Sequence, residues 1–356
     1  MRNFKLLQFI PLLLLLNLLS TNTYAARHAV VLQYQHISDR TPPSRSTPKQ
    51  DFIEHLNYIE QKGYTVWPLE KVIDALKKKR TIPDKTLAIT FDNAYVSVYE
   101  EAMPELARRQ MPFTVFVAAA PILKEHPLYM SWAQLRKIQK AGGTIGSMGI
   151  TGSNFAKPMP EELKTEQLAR IEKDIQLNEI ALEKYLGVKP NLLAYPEGQT
   201  DESIEKLVSK MGYSAFGLHQ GPASRYTSLA YLPRFMATGS ANNINNLSVK
   251  LSSLPLPVRK VKAEKRILPN TEKYPELNVE LLSGSYVLSG LRCQNSEGLP
   301  VTSYLTDGKR PGFILKSKLS EKIGAIEYIC TLPHDKSSRS YWFSHTWIRP
   351  DAEGRW

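Results

Sequence analysis

The chain has 356 residues, 42% of them hydrophobic, and a formal net charge of +12. The length exceeds one small domain, and the apolar content is that of a globular protein without internal repeats or low-complexity tracts. The basic surplus favours acidic partners such as anionic glycans or lipid headgroups.

Arg2 and Lys5 open the chain, Leu6–Leu19 is almost wholly apolar, and Thr23-Tyr24-Ala25 places small residues where a signal peptidase reads. Residues 1–25 are expected to be a secretory signal peptide cut after Ala25. The apolar run falls short of the roughly 20 residues of a membrane span, and no later segment is long and apolar enough to be one. Removing Arg2 and Lys5 lowers the charge from +12 to +10. Export argues against nucleic acid as a partner.

From residue 26 to 252 short apolar runs alternate with helical patterns. Expected strands are Ala29–Tyr34, Thr86–Thr90, Phe113–Val117, Thr144–Ser147, Asn191–Ala194 and Ser214–Gly217, with a weaker one at Tyr231–Arg234. Continuous apolar runs are what parallel strands buried on both faces require. Helical patterns follow Thr47-Pro48 to Lys62 and cover Leu69–Lys79, Val96–Arg109, Ser131–Ala141, Pro160–Leu186 and Glu202–Met211. Strict alternation predicts an α/β parallel sheet or barrel. Residues 253–273, with Leu254-Pro-Leu-Pro and then Arg259, Lys260, Lys262, Lys265 and Arg266, read as a basic linker or an exposed basic strand. Residues 274–356 hold only strand-like runs, at Asn278–Leu282, Tyr286–Cys293, Gly312–Lys316, Ala325–Thr331 and Tyr341–Ile348, and predict a small all-β sandwich. Cys293 and Cys330 both fall there, and in an oxidising compartment they are expected to pair. The aromatic group Tyr341, Trp342, Phe343, Trp347 and Trp356 suits either a sugar-stacking platform or plain sandwich core.

In a parallel barrel, functional side chains gather at the carboxyl ends of the strands. His36, Asp92 with Asn93, Met148, Tyr195-Pro196-Glu197-Gly198 and His219 fall there. Leu87-Ala-Ile-Thr-Phe-Asp-Asn-Ala-Tyr95, Gly143-Thr-Ile-Gly-Ser-Met-Gly-Ile-Thr-Gly-Ser-Asn154 and Ala194-Tyr-Pro-Glu-Gly198 stand in order at matching spacing. Together they resemble the three signatures of the polysaccharide deacetylases, the NodB-homology family or carbohydrate esterase family 4. Tyr34-Gln-His-Ile-Ser38 and the closing Tyr341–Ile348 fit an exported branch.

The resemblance implies a distorted (β/α) barrel followed by a small all-β domain, and a metal-dependent de-N-acetylase. In that family an aspartate and two histidines hold zinc or another divalent metal, which lowers the pKa of a bound water, while a second aspartate acts as general base. Here Asp92 stands at the base position. The metal positions are Asn93, Met148 and Gly152, which offer a neutral carbonyl, a thioether and nothing. The resemblance therefore implies no metal cofactor, a pseudoenzyme, and a retained groove in which His36, Tyr195, Pro196, Glu197 and His219 are candidate contacts to N-acetylated or anionic polysaccharide. The expected place is the periplasm or cell envelope of a bacterium. An active deacetylase with a non-standard site of Asp92, His36 and His219, and a protein-binding scaffold, are the alternatives.

Overall fold

The computed structural model describes residues 25–263, 265–283, 287–306, 308, 310–319 and 321–356. The signal-peptide expectation lies outside them, apart from Ala25. No helix among the described residues is long and apolar enough to cross a membrane.

The first half is a curled parallel sheet. Its strands are β1 (His28–Tyr34), β2 (Thr86–Asp92), β3 (Phe113–Val117), β4 (Gly143–Ser147), β5 (Leu192–Ala194) and β6 (Ser214–Phe216). They run side by side in the order β6-β5-β4-β3-β2-β1. Every residue of β1, β2 and β3 is buried, which explains their mostly apolar sequence. The sheet curls round until Leu232 bridges Phe216, and β7 (Phe235–Met236) pairs in parallel with Leu32 and Gln33 of β1. The weak strand expected at Tyr231–Arg234 is thus displaced towards Phe235. A register of single contacts here lets the chain close the barrel around one buried arginine, described below.

Helices α1 (Lys49–Gln61), α2 (Leu69–Lys77), α3 (Met103–Arg108), α4 (Ala119–Leu123), α5 (Trp132–Lys140), α6 (Lys164–Leu186), α7 (Glu202–Lys210) and α8 (Ile244–Leu251) complete this half. Local chemistry sets several of their ends. Ser131 and Gln134 form a reciprocal capping box on α5. Asp201 accepts the Ser203 and Ile204 N–H groups at 2.9 Å to start α7. Gly187, at φ 68°, ends α6 in the left-handed region. The helix expected over Val96–Arg109 is present as one helical run from Val96 to Arg108, wound more widely as a π-helix at Val98–Ala102 before α3. Pro104 has no N–H to give the preceding turn.

The second half is two four-stranded sheets around one core. One sheet joins β8 (Leu254–Pro255), β15 (Ser340–Arg349), β14 (Gly324–Pro333) and β11 (Arg292–Asn295). The other joins β9 (Val258–Ala263), β10 (Glu276–Leu281), β13 (Gly312–Lys316) and β12 (Ser303–Leu305). Leu277, Val279, Phe313, Tyr328, Cys330 and Trp347 fill the space between them. Of the two readings of 253–273, linker or exposed basic strand, the second describes β9, and β8 is also a strand of the sandwich. β9 is an edge strand, so its lysines reach solvent while its backbone pairs with β10. Of the strand expected at Tyr286–Cys293, Tyr286 lies outside the described residues; among the described ones the strand begins at Arg292, after a tight turn at Leu288–Gly290. Cys293 faces Cys330 across β11 and β14 with Cα atoms 4.1 Å apart, and their sulfurs are bonded.

The halves are docked through polar contacts. Arg339 grips Asp84 with two bonds of 3.0 Å. Glu327 accepts the Gln220 N–H at 2.5 Å. Arg266 pairs with Glu205, and Trp342 meets Phe235 edge to face at 5.1 Å.

Candidate functional site

Asp92 is the last residue of β2, so its carboxylate stands at the carboxyl end of the sheet, where a barrel presents its chemistry. It is 3% exposed. Arg234, wholly buried, approaches from the chain that closes the barrel. Its Nη1 donates to Oδ1 at 2.7 Å and its Nη2 to Oδ2 at 2.9 Å. Gln33 Nε2 donates to Oδ2 at 3.1 Å. The remaining guanidinium capacity goes to Gly217 O at 3.0 Å and Thr90 Oγ1 at 3.3 Å, with the Phe116 ring 5.4 Å away. Both carboxylate oxygens are engaged in a bidentate charge-assisted pair.

Asn93 and Ala94 follow at φ 73° and 51°. This left-handed turn aims the Asn93 N–H at Met148 Sδ, 3.3 Å away. Met148 is 2% exposed and packs with Phe116, Ala118 and Ala194. Gly152 sits at φ 66°, where an added Cβ would lie 3.1 Å from Ala118 Cβ. The loop between them is tied down by α6. Asp174 Oδ2 accepts Thr151 Oγ1–H at 2.8 Å; burial raises the pKa of this carboxyl, and the Thr151 bonds oppose the shift. Asn178 bonds Ala119 N, Val117 O and Ser147 Oγ at 3.0, 2.9 and 2.8 Å.

The donor set does not fit a zinc ion. The thioether is committed to an N–H, the one carboxylate is neutralised by Arg234, and Gly152 supplies no atom. Among the described residues no three His, Cys, Asp or Glu side chains gather as a possible metal site. His36, Asp92 and His219 are accordingly not brought together as ligands. His36 stacks on Tyr95 with ring centroids 3.6 Å apart; burial lowers its pKa and Arg45 adds to this. His219 lies in a cleft against the sandwich, stacked on Tyr231 at 4.0 Å.

Two other expected groove contacts are corrected. Tyr195 is fully buried; its OH donates to Ala230 O at 2.7 Å and its ring joins a core that includes Ile171, Ile204 and Val208. Pro196 is also buried. The Tyr195 N–H continues the ladder to Phe216 O, and this turns the ring inward. Glu197 is exposed, accepts Asn154 Nδ2 at 2.8 Å and lies 4.0 Å from Lys157.

Sequence reasoning missed Arg234 and Gln33. A lone arginine inside the apolar run Tyr231–Phe235 was the available signal, since a charge on a closing strand needs a buried partner.

The polysaccharide deacetylase family model matches residues 79–216. This chain carries a polysaccharide deacetylase domain. A Bacillus subtilis (strain 168) relative named polysaccharide deacetylase YxkH is 26% identical over 206 residues, 57% of this chain and 69% of that one. The poly-beta-1,6-N-acetyl-D-glucosamine N-deacetylase of Escherichia coli (strain K12) is 20% identical over 291 residues. That alignment takes in 71% of this chain but only 42% of the relative's length. Among solved structures, IcaB from Ammonifex degensii superposes with a TM-score of 0.56 and 21% identity, covering 64% of this chain and 98% of that one. At that identity the likeness establishes the fold of the deacetylase domain.

Proposed function

We propose that the chain is a cell-envelope protein that binds N-acetylated polysaccharide without hydrolysing it. The observation that carries this is the engagement of Asp92: both of its oxygens are held by Arg234, Oδ2 also by Gln33, and the carboxylate is buried. Without a metal the water keeps a pKa near 15.7, beyond what a lone carboxylate deprotonates usefully. The oxyanion also lacks its strongest partner, and even one missing donor typically costs about 10²–10³ in rate. The glycan assignment rests on the family and on the substrate that gives the Escherichia coli relative its name, poly-β-1,6-N-acetyl-D-glucosamine. The signal-like N-terminus supports export, and the division at about residue 253 into two units follows the change from α/β to all-β structure.

The test is zinc content and deacetylase activity on poly-N-acetylglucosamine, with glycan binding measured on the same preparation. The proposal expects no stoichiometric zinc, no Asp92-dependent hydrolysis, and measurable binding. Hydrolysis that is abolished by Asp92→Asn overturns it.

A further inference from the structure

The geometry points to a second ligand site, a binding cleft for a neutral sugar between the barrel wall and the C-terminal sandwich. The cleft has a volume of about 370 Å³ and is lined by His219, Tyr226, Tyr231, Arg266, Trp342 and His345, among others. That volume lies within the roughly 300–1,000 Å³ range of small-molecule sites. The inference rests on the glycan-binding reading above but moves the contact away from the Asp92 pair, which faces the barrel interior.

Three observations carry it. The first is a set of buried polar atoms without partners. His219 Nδ1, Arg266 Nε, Trp342 Nε1 and His345 Nε2 are all buried and unbonded. Leaving one such group unpaired costs about 1–3 kcal/mol; all four belong to residues that line the cavity, and a small side-chain rotation would bring each to a ligand hydroxyl. Arg266 is 8% exposed and is built in: it pairs with Glu205, donates from Nη1 to Thr200 O at 3.3 Å, and lies 4.2 Å over the Tyr231 ring.

The second is ring geometry. His219, Tyr231 and Arg266 form one flat column, and Tyr226, Trp342 and Phe343 also line the cavity. Aromatic faces beside fixed hydrogen-bonding edges suit a pyranose, which has apolar C–H faces and a polar rim.

The third is charge. The walls carry Arg266 with Glu202 and Glu205, and Glu327 and Lys250 stand behind them, with Glu327 bonded to Gln220 and Lys250 to Met236 O at 3.0 Å. Burial and the nearby Arg266 keep both imidazoles neutral. A free anion meets two glutamates and a free cation meets Arg266, so the cleft, with its neutral indole and imidazole groups, selects an uncharged ligand. An N-acetylglucosamine unit of a fully acetylated chain meets that condition; its deacetylated, cationic counterpart does not.

The experiment is calorimetric titration of the full exported chain with the N-acetylglucosamine trimer, the cationic glucosamine trimer and an anionic galacturonic acid trimer. Three cleft variants are used. Tyr226→Ala removes a lining ring, Trp342→Phe removes the free N–H, and Val261→Trp plugs the opening from a residue 39% exposed on the edge strand. Tyr95→Ala, beside the Asp92 turn, is the barrel-mouth comparator. The expected result is binding of the neutral trimer alone, weakened about tenfold or more by Val261→Trp and Tyr226→Ala and unchanged by Tyr95→Ala. Binding that survives all cleft variants but falls with Tyr95→Ala overturns the cleft and leaves the glycan-binding reading intact. Preference for a charged trimer overturns the cleft assignment. Failure to bind any of the three removes both.

Discussion

Two places in this molecule bury polar groups at the edge of the barrel, and they are finished differently. At the mouth, Asp92, Arg234 and Gln33 satisfy one another, and Met148 fills the neighbouring space with a thioether. In the cleft against the sandwich, four residues that line a cavity each hold a buried side-chain nitrogen without a partner among the described residues. Position at the carboxyl end of a barrel strand is therefore a poor guide to where this chain meets a ligand. A closed ion pair stabilises a fold, whereas open donors and acceptors await an occupant.

Breaking the pair at the mouth gives the largest expected effect. Arg234→Met leaves Asp92 buried without its counter-ion, and stability in urea should fall by about 3–5 kcal/mol. Adding Asp92→Asn should recover most of that loss, because two neutral groups no longer need each other. A single-variant loss below about 1 kcal/mol would mean the mouth is wet and open, and the contrast with the cleft would collapse.

The next effect sharpens the cleft side. Cys293 and Cys330 close a loop of 37 residues within the sandwich, and on the chain-entropy model their bond contributes about 3–4 kcal/mol. The native protein should titrate no free thiol. Reduction should raise amide exchange in β11 and β14 while leaving β2 and β3 protected. Equal exchange in both halves would show that the two units do not open independently.

Acid should distinguish the regions as well. Burial depresses the His345 pKa to about 3, with Arg266 adding to the shift, and depresses His219 too, with Arg266, His345 and Arg234 contributing. The unfolded chain protonates these imidazoles near pH 6.5 and the folded chain does not. Their contribution is complete above pH 6.5 and is lost as pH falls towards 3. Glu205 and Glu327 are raised by burial and act in the opposite sense. His345→Gln should therefore flatten the fall in melting temperature between pH 6.5 and 4, and an unchanged slope would place the acid sensitivity elsewhere.

The smallest effect is at Ala94, a non-glycine residue at φ 51°. Ala94→Gly should raise stability by about 0.4–1 kcal/mol if relief of the left-handed strain outweighs its own loss of chain entropy. A decrease would show that the buried methyl is worth more than the strain.

Much of the barrel was legible in the sequence. Buried parallel strands write themselves as apolar runs, and β1 to β6 each fall within a residue or two of the expected spans. The three replaced positions were legible because a motif fixes its own spacing. What was hidden depended on contacts distant in sequence. Arg234 lies 142 residues from Asp92, and no local pattern joins them. The edge strand β9 read equally as a linker or an exposed basic strand because its charged, exposed side chains mask a backbone that pairs with β10. Tyr195 read as a groove residue because strand-end position says nothing about which way a ring turns. Trp342 and Trp347 are near neighbours, yet one lines the cleft and the other is wholly buried in the sandwich.

The backbone at Gly152 bears on the history of the site. A histidine there would have to hold φ 66° with its Cβ 3.1 Å from Ala118, a conformation that costs an L-residue about 1–2 kcal/mol. Asn93→Asp alone would set a second carboxylate beside Asp92 with no cation to share, and Met148→His alone would put a polar ring into a space packed with Phe116 and Ala118. Each step back is penalised until the others are in place. On the proposed reading, these three positions work as a ratchet: no single substitution towards a metal-binding set improves the protein, so the present packing and backbone hold the site as it is.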